Sequence, residues 1–156
     1  MTVLPSARLH ELGLALPAAP APVGSYVPAR VHAGLVFITG QLAFVDGVIA
    51  HPGLLGAEVT RDQGVQAAQV CALNAIAAGA DAVGGIDELT GVLSIVGYLA
   101  CAPGFTELSA VLNGASDLLA DVFGPEGVHT RTNVGVATLP LGTPVEVQVT
   151  FATAVK

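Results

Sequence analysis

Valine stands at every second position from Val145 to Val149, and Phe151 continues the series while Glu146, Gln148 and Thr150 fill the gaps. Strict alternation of this kind fits a strand with one buried face, and a slip of one residue would carry Glu146 into the core. Residues 131–138 alternate too: Arg131, Asn133, Gly135 and Ala137 share one face, and Thr132, Val134, Val136 and Thr138 the other. Pro140, Gly142 and Pro144 break the pattern between them, so Arg131–Phe151 reads as a hairpin of two strands joined by a Pro-Gly turn. The chain holds four arginines and one lysine; one arginine opens this stretch, and a lone glutamate sits early in its second strand. That economy marks Arg131 and Glu146 as the first residues to consider for chemistry.

The remaining elements follow in order. Residues 6–14 form a short amphipathic helix with Ser6 as its cap and Gly13 as its stop, and Pro17–Gly24 is an extended strap. Val31–Phe44 reads as strand with a β-turn at Ala33-Gly34. Its continuous run Leu35–Ile38 suits a strand covered on both faces, and Gly40 permits a bulge or a close backbone approach. Asp46-Gly47 joins Phe44-Val45 to Val48-Ile49 as a hairpin. Thr60 and Gln63 make a capping box for a helix running to about residue 79. Leu93–Leu99 is a buried strand, and a second helix runs from about Thr106 to Phe123 with Leu108, Val111, Leu112, Ala115, Leu119 and Val122 as its apolar stripe. With no repeat and no second domain, residues 1–156 form one α+β domain, in which two helices pack on one face of a mixed sheet. The helix and proline-rich strap of residues 1–20 precede the sheet.

Composition limits the partners. Charged residues are 11% of the chain and mean hydropathy is +0.72, yet no apolar run reaches the ~18 residues of a membrane span. So few charges imply that part of the surface is covered in an obligate oligomer. A net charge of −7 with five scattered cations argues against nucleic-acid binding. Cys71 and Cys101 are read as small core residues of a reducing compartment, without disulfide or metal, and the start of the chain carries no leader signature, which points to a cytoplasmic protein. HExxH, GxSxG, GxGxxG and Walker patterns are missing from the sequence, and no cofactor is implied.

Arg131 is the best anion receptor, because its planar fork matches a carboxylate; the alternative is a strand-edge arginine paired with Glu126 or solvent. Glu146 is either a general acid/base in an apolar surround or a solvated strand glutamate. Asn133, on the face of Arg131, can position a ligand or water. Tyr26 offers a hydroxyl at a strand start, where a half-buried tyrosine is the commoner occurrence. Asn113 and Ser116-Asp117 interrupt an apolar helix and face either solvent or a site. His129, two residues before Arg131, is a candidate acid/base or a plain loop histidine.

These residues carry a resemblance. Pro22–Tyr26, Leu35–Gln41, Phe105 with Asn113, and Arg131–Glu146 with Leu139-Pro140 resemble the YjgF/YER057c/UK114 family, whose archetypes are the RidA enamine/imine deaminases; the match covers residues 20–156 nearly throughout. The resemblance implies a chorismate-mutase-like fold, a homotrimer, and a small-carboxylate site in each subunit interface. It implies that Arg131 binds the carboxylate of a 2-imino acid and that Glu146 activates water for attack on the imine carbon. Tyr26, Asn113 and Gly40 would line the cleft, the last within Thr39-Gly40-Gln41 where the archetype has Ser-Gly-Gln. The proline-rich start and the Asn113–Leu119 run resemble a separate branch labelled chorismate-mutase-like endoribonuclease (L-PSP), and Asn133 replaces the archetype's cysteine. Besides deamination, the sequence is compatible with a non-enzymatic carboxylate binder and, against its charge, with a ribonuclease.

Overall fold

The computed structural model describes residues 3–155. A short helix α1 (Pro5–Glu11) leads into the strap. Then come β1 (Ala29–His32), β2 (Leu35–Ile38), β3 (Gln41–Leu42), β4 (Phe44–Val45) and β5 (Val48–Ile49), followed by the long helix α2 (Arg61–Val83). Strand β6 (Leu89–Ala100), helix α3 (Leu108–Phe123), β7 (Thr130–Val136) and β8 (Val145–Thr153) complete the chain. The main sheet runs β1-β2-β8-β6-β7, with β3 also on β8, and β4-β5 form a separate ribbon. Every contact in the main sheet is antiparallel except β6 with β7.

Local chemistry explains most boundaries. The Thr60–Gln63 capping box is present in both directions, and α2 outruns its expected end, stopping where Gly84 turns left-handed at φ 90°. Ala33 and Gly34, and likewise Asp46 and Gly47, take the paired positive φ of tight hairpin turns. The first helix differs from expectation. Leu4, not Ser6, occupies the cap, and Ser6 instead uses its backbone N–H and hydroxyl on the Asp87 carboxylate. Between Phe37↔Thr150 and Gln41↔Val147 the chain advances four residues against three on β8, so one extra residue bulges at Thr39-Gly40.

The valine series behaves as its alternation demands. Val145, Val147, Val149 and Phe151 are completely buried against α2 and α3, with Val36, Ile38, Ile95 and Leu99 beside them. Leu35–Ile38 is covered on one face only within the chain, since Phe37 is 43% exposed. The open face of the sheet also presents Val134, at 41% exposed.

The Arg131–Phe151 hairpin does not form. β6 lies between the two strands, parallel to β7 and antiparallel to β8. A strand–helix–strand unit (β6, α3, β7) brings its strands together in parallel, and that pairing displaced the local one.

Helices α2 and α3 meet where Gly114 lies on the Val65 carbonyl, with no room for a β-carbon. In an open helix Gly→Ala stabilises by about 1 kcal/mol. At this crossing the sign is expected to invert: Gly114→Ala should lose about 1–3 kcal/mol through overpacking, several degrees in Tm by calorimetry. An unchanged or raised Tm would show that the helices separate freely.

Candidate functional site

Arg131 is opposite Ile95 in the sheet register, so its side chain leaves on the helix-covered face, at the β7 edge. There α3 offers Ser109, Asn113 and Ser116, spaced four and three residues apart and therefore on one helix face. The Arg131 Nη1 donates to Asn113 Oδ1 at 2.7 Å and to Ser116 Oγ at 3.2 Å, and Nη2 donates to the Ser109 carbonyl at 3.4 Å. These use three of the five guanidinium N–H groups, leaving one on Nε and one on Nη2. All three acceptors are neutral. Among the described residues the ion pairs are Arg8–Glu11, Arg61–Asp62 and Arg61–Glu107, so Arg131 carries its charge without a carboxylate partner. The alternative of a pair with Glu126 is not what forms.

Asn133 is two residues along β7, opposite Gly97, on the face of Arg131 and half-buried. Asn113 and Ser116 thus turn toward the arginine, whereas Asp117 is exposed beside Leu118 and Asp121 in a groove between α2, α3 and the residues just after α1, Leu12 and Leu14. His129 precedes β7 and touches Ser116 at 3.0 Å. Ser116, singled out in the sequence with Asn113, lies three residues from it on the same helix face, whereas Ser109 contributes only its backbone carbonyl, which no side-chain pattern could have signalled.

Glu146 belongs to a second cluster. It is opposite Tyr98 on β6 and Leu42 on β3, on the sheet face away from Arg131. Its carboxylate lies against Gly40, where a β-carbon would collide with it. The bulge at Thr39-Gly40 and the missing side chain together make this approach possible. Glu146 is half-buried and takes no part in the ion pairs of the described residues; burial raises its pKa above the ordinary carboxylate value. Gly40, Gln41 and Leu42 line a shallow cleft with Tyr26 and the strap residues Pro20–Val23. Tyr26 is 44% exposed, and its hydroxyl accepts the Val23 N–H at 3.2 Å, so its own hydrogen stays available to donate.

The expectation of a clamp beside a base on one rigid hairpin is therefore corrected. One intervening strand puts Arg131 and Glu146 about 10 Å apart across the sheet, and the offset between Ile95 and Tyr98 adds about 10 Å along it. They also leave opposite faces. Arg131, Asn113 and Asn133 form one cluster; Glu146, Gly40 and Tyr26 form the other. Among the described residues no three His, Cys, Asp or Glu side chains converge as a metal site, and no helix is long and apolar enough to cross a membrane.

Comparison with known proteins gives a consistent set of relatives. Residues 6–152 match the family model described as "YjgF/chorismate mutase-like, putative endoribonuclease". Protein TCP17 of Trypanosoma cruzi is 42% identical over 143 residues, 91% of this chain and 89% of the relative. A solved structure from Shewanella oneidensis, carrying the same endoribonuclease label, is 31% identical with a TM-score of 0.92, covering 96% of this chain and 99% of the other. RidA from an Antarctic Psychrobacter is 30% identical at TM-score 0.59, with 86% and 93% covered.

Proposed function

The chain belongs to the YjgF/chorismate mutase-like family, and from that premise we propose that it is a hydrolase converting small 2-imino carboxylates to 2-oxo acids and ammonia. The observation that carries this reading is Arg131, held by three neutral acceptors with two donors still free and its charge unmatched. A carboxylate completes that geometry with two parallel charge-assisted bonds. Glu146 supplies the second part, a carboxylate whose surroundings make it hold a proton more readily than an exposed one. Water attacks C2 of the imine as Glu146 takes its proton; the same proton then goes to the nitrogen, and the carbinolamine collapses to ketone and ammonia. The imine chemistry is that implied by the resemblance to RidA. Ribonucleolysis, the activity in the family's description, finds little support in a chain of net charge −7.

The two clusters cannot meet within one chain, so the proposed site is shared: Arg131, Asn113 and Asn133 from one subunit, Glu146, Gly40 and Tyr26 from its neighbour. Contacts between unlike patches close into rings when the rotation between neighbours closes. We take the ring to be a homotrimer, with the half-exposed Phe37 and Val134 of the open sheet face turned inward. Light scattering should give about three times 15.5 kDa.

Subunit complementation tests the shared site. Arg131→Ala and Glu146→Gln homo-oligomers are each expected to be inactive toward a freshly generated 2-imino acid. Co-expressed in equal amounts, they should regain about a quarter of wild-type activity, the chance that an interface receives both intact residues in a random mixture. No recovery alongside an active wild type would place both residues' action in one subunit. An inactive wild type that still binds 2-oxo acids through Arg131 would make the protein a carboxylate binder.

A further inference from the structure

A chain of hydrogen bonds begins on a fixed backbone carbonyl and ends on the guanidinium of Arg131. The carbonyl of Gly127 can only accept, so His129 Nδ1, 2.6 Å away, carries the hydrogen and donates it. In the neutral ring Nε2 is then a bare acceptor, and Ser116 Oγ at 3.0 Å is the group that donates to it. With its one hydrogen committed, Ser116 Oγ turns lone pairs to Arg131 Nη1 at 3.2 Å. We infer that Ser116 and His129 are positioning residues for Arg131, fixing the orientation of its free edge without neutralising its charge.

Three features give the chain this role. Its direction is set at the start: in the neutral ring, reversing either of the first two links would set lone pair against lone pair, and reversing the last would set hydrogen against hydrogen. A hydroxyl that donates to imidazole is polarised into a better acceptor for the arginine. Its anchor is also fixed: Gly127 is buried, and a β-carbon there would meet the Leu119 carbonyl at 2.5 Å and the Ala120 Cα at 2.8 Å. The other two bonds to Arg131 are exposed, while Ser116 and His129 are half-buried. Water competes least with the Ser116 link, so that link most restricts the flexible arginine stem. A carboxylate in place of Ser116 would hold the arginine as firmly but would cancel the charge that a ligand needs.

The hydrogen-bond chain is testable without a ligand; its effect on affinity rests on the carboxylate site proposed above. Long-range ¹H–¹⁵N NMR of the intact wild-type protein at about pH 8, where imidazoles are ordinarily neutral, should show His129 protonated on Nδ1. The Nε2–H tautomer would overturn the inference. ¹⁵N relaxation should show Arg131 Nε ordered in wild type and in Ser116→Thr, and mobile in Ser116→Ala. An equally ordered Nε in Ser116→Ala would also overturn it. For 2-oxobutanoate, Ser116→Ala should weaken Kd about tenfold, His129→Ala less, and the double variant no more than Ser116→Ala alone. In an Arg131→Ala background Ser116→Ala should change nothing further; a further loss there would mean that Ser116 acts on the fold rather than through Arg131. If wild type does not bind 2-oxobutanoate while Arg131 order still follows Ser116, the carboxylate reading falls and the positioning chain stands.

Discussion

Replacing Glu146 by Gln is expected to lower deamination of a freshly generated 2-imino acid by about 10²–10⁴-fold, the usual contribution of a general base. The glutamine keeps the shape that lies against Gly40 and removes the proposed proton acceptor. Affinity for 2-oxobutanoate should stay near the wild-type value, because the proton moves only on the way to the adduct. Stability should move the other way. Burial raises the Glu146 pKa, so the folded state binds this proton to higher pH than the unfolded chain does. Relative stability is then full below the ordinary carboxylate value and declines as pH rises through the folded pKa. Glutamine has no such decline, so at pH 7 the inactive variant should melt at or above the wild-type temperature. In the wild type, activity should fall on acidification at a higher pH than an exposed glutamate would give. A Glu146→Gln protein turning over at the wild-type rate would move the base elsewhere.

The second large effect is in binding. Arg131→Ala should weaken 2-oxobutanoate by about 2–4 kcal/mol, the worth of a charge-assisted pair of hydrogen bonds, which is roughly 30- to 1,000-fold in Kd. The carboxylate keeps its charge from ground state to transition state, so the loss should appear mainly in affinity and KM. The fold should tolerate the change. The exposed Asn113 side chain can turn to water, the Ser109 carbonyl is on an exposed residue that water can reach, and Arg131 closes no ion pair among the described residues. Arg131→Lys separates charge from geometry: an ammonium is a point charge without the planar fork, so it should recover only part of the affinity. Titration calorimetry at two salt concentrations reads both terms. Equal binding by wild type and Arg131→Ala would remove the arginine from the site and with it the reading of this protein as a carboxylate enzyme.

Local sequence determined much of this molecule. The valine series fixed the register of β8, because only one phase of a two-residue period keeps Glu146 out of the core. Thr60 with Gln63 set the start of α2, and Ala33-Gly34 and Asp46-Gly47 set two hairpins, since caps and tight turns involve only neighbouring residues. Gly40 announced a close approach, although not to what. The residues of both clusters were legible as types: one arginine, one half-buried glutamate, and an asparagine on an apolar helix. Strand pairing was not legible in the same way. Alternation states which face of a strand is buried and says nothing about its neighbour, so β7 and β8 read equally well as a hairpin. The order β6, α3, β7 did hint at a parallel unit, but the weighing of a local turn against a distant crossover is done by the packed core. By inserting β6 between Arg131 and Glu146, the tertiary structure put the two on opposite faces, because each step across the sheet and each residue along it adds a fixed distance. It also turned Ser116 toward Arg131 and His129 toward Ser116, contacts made between α3, the entry to β7 and β7 itself that no one segment encodes alone.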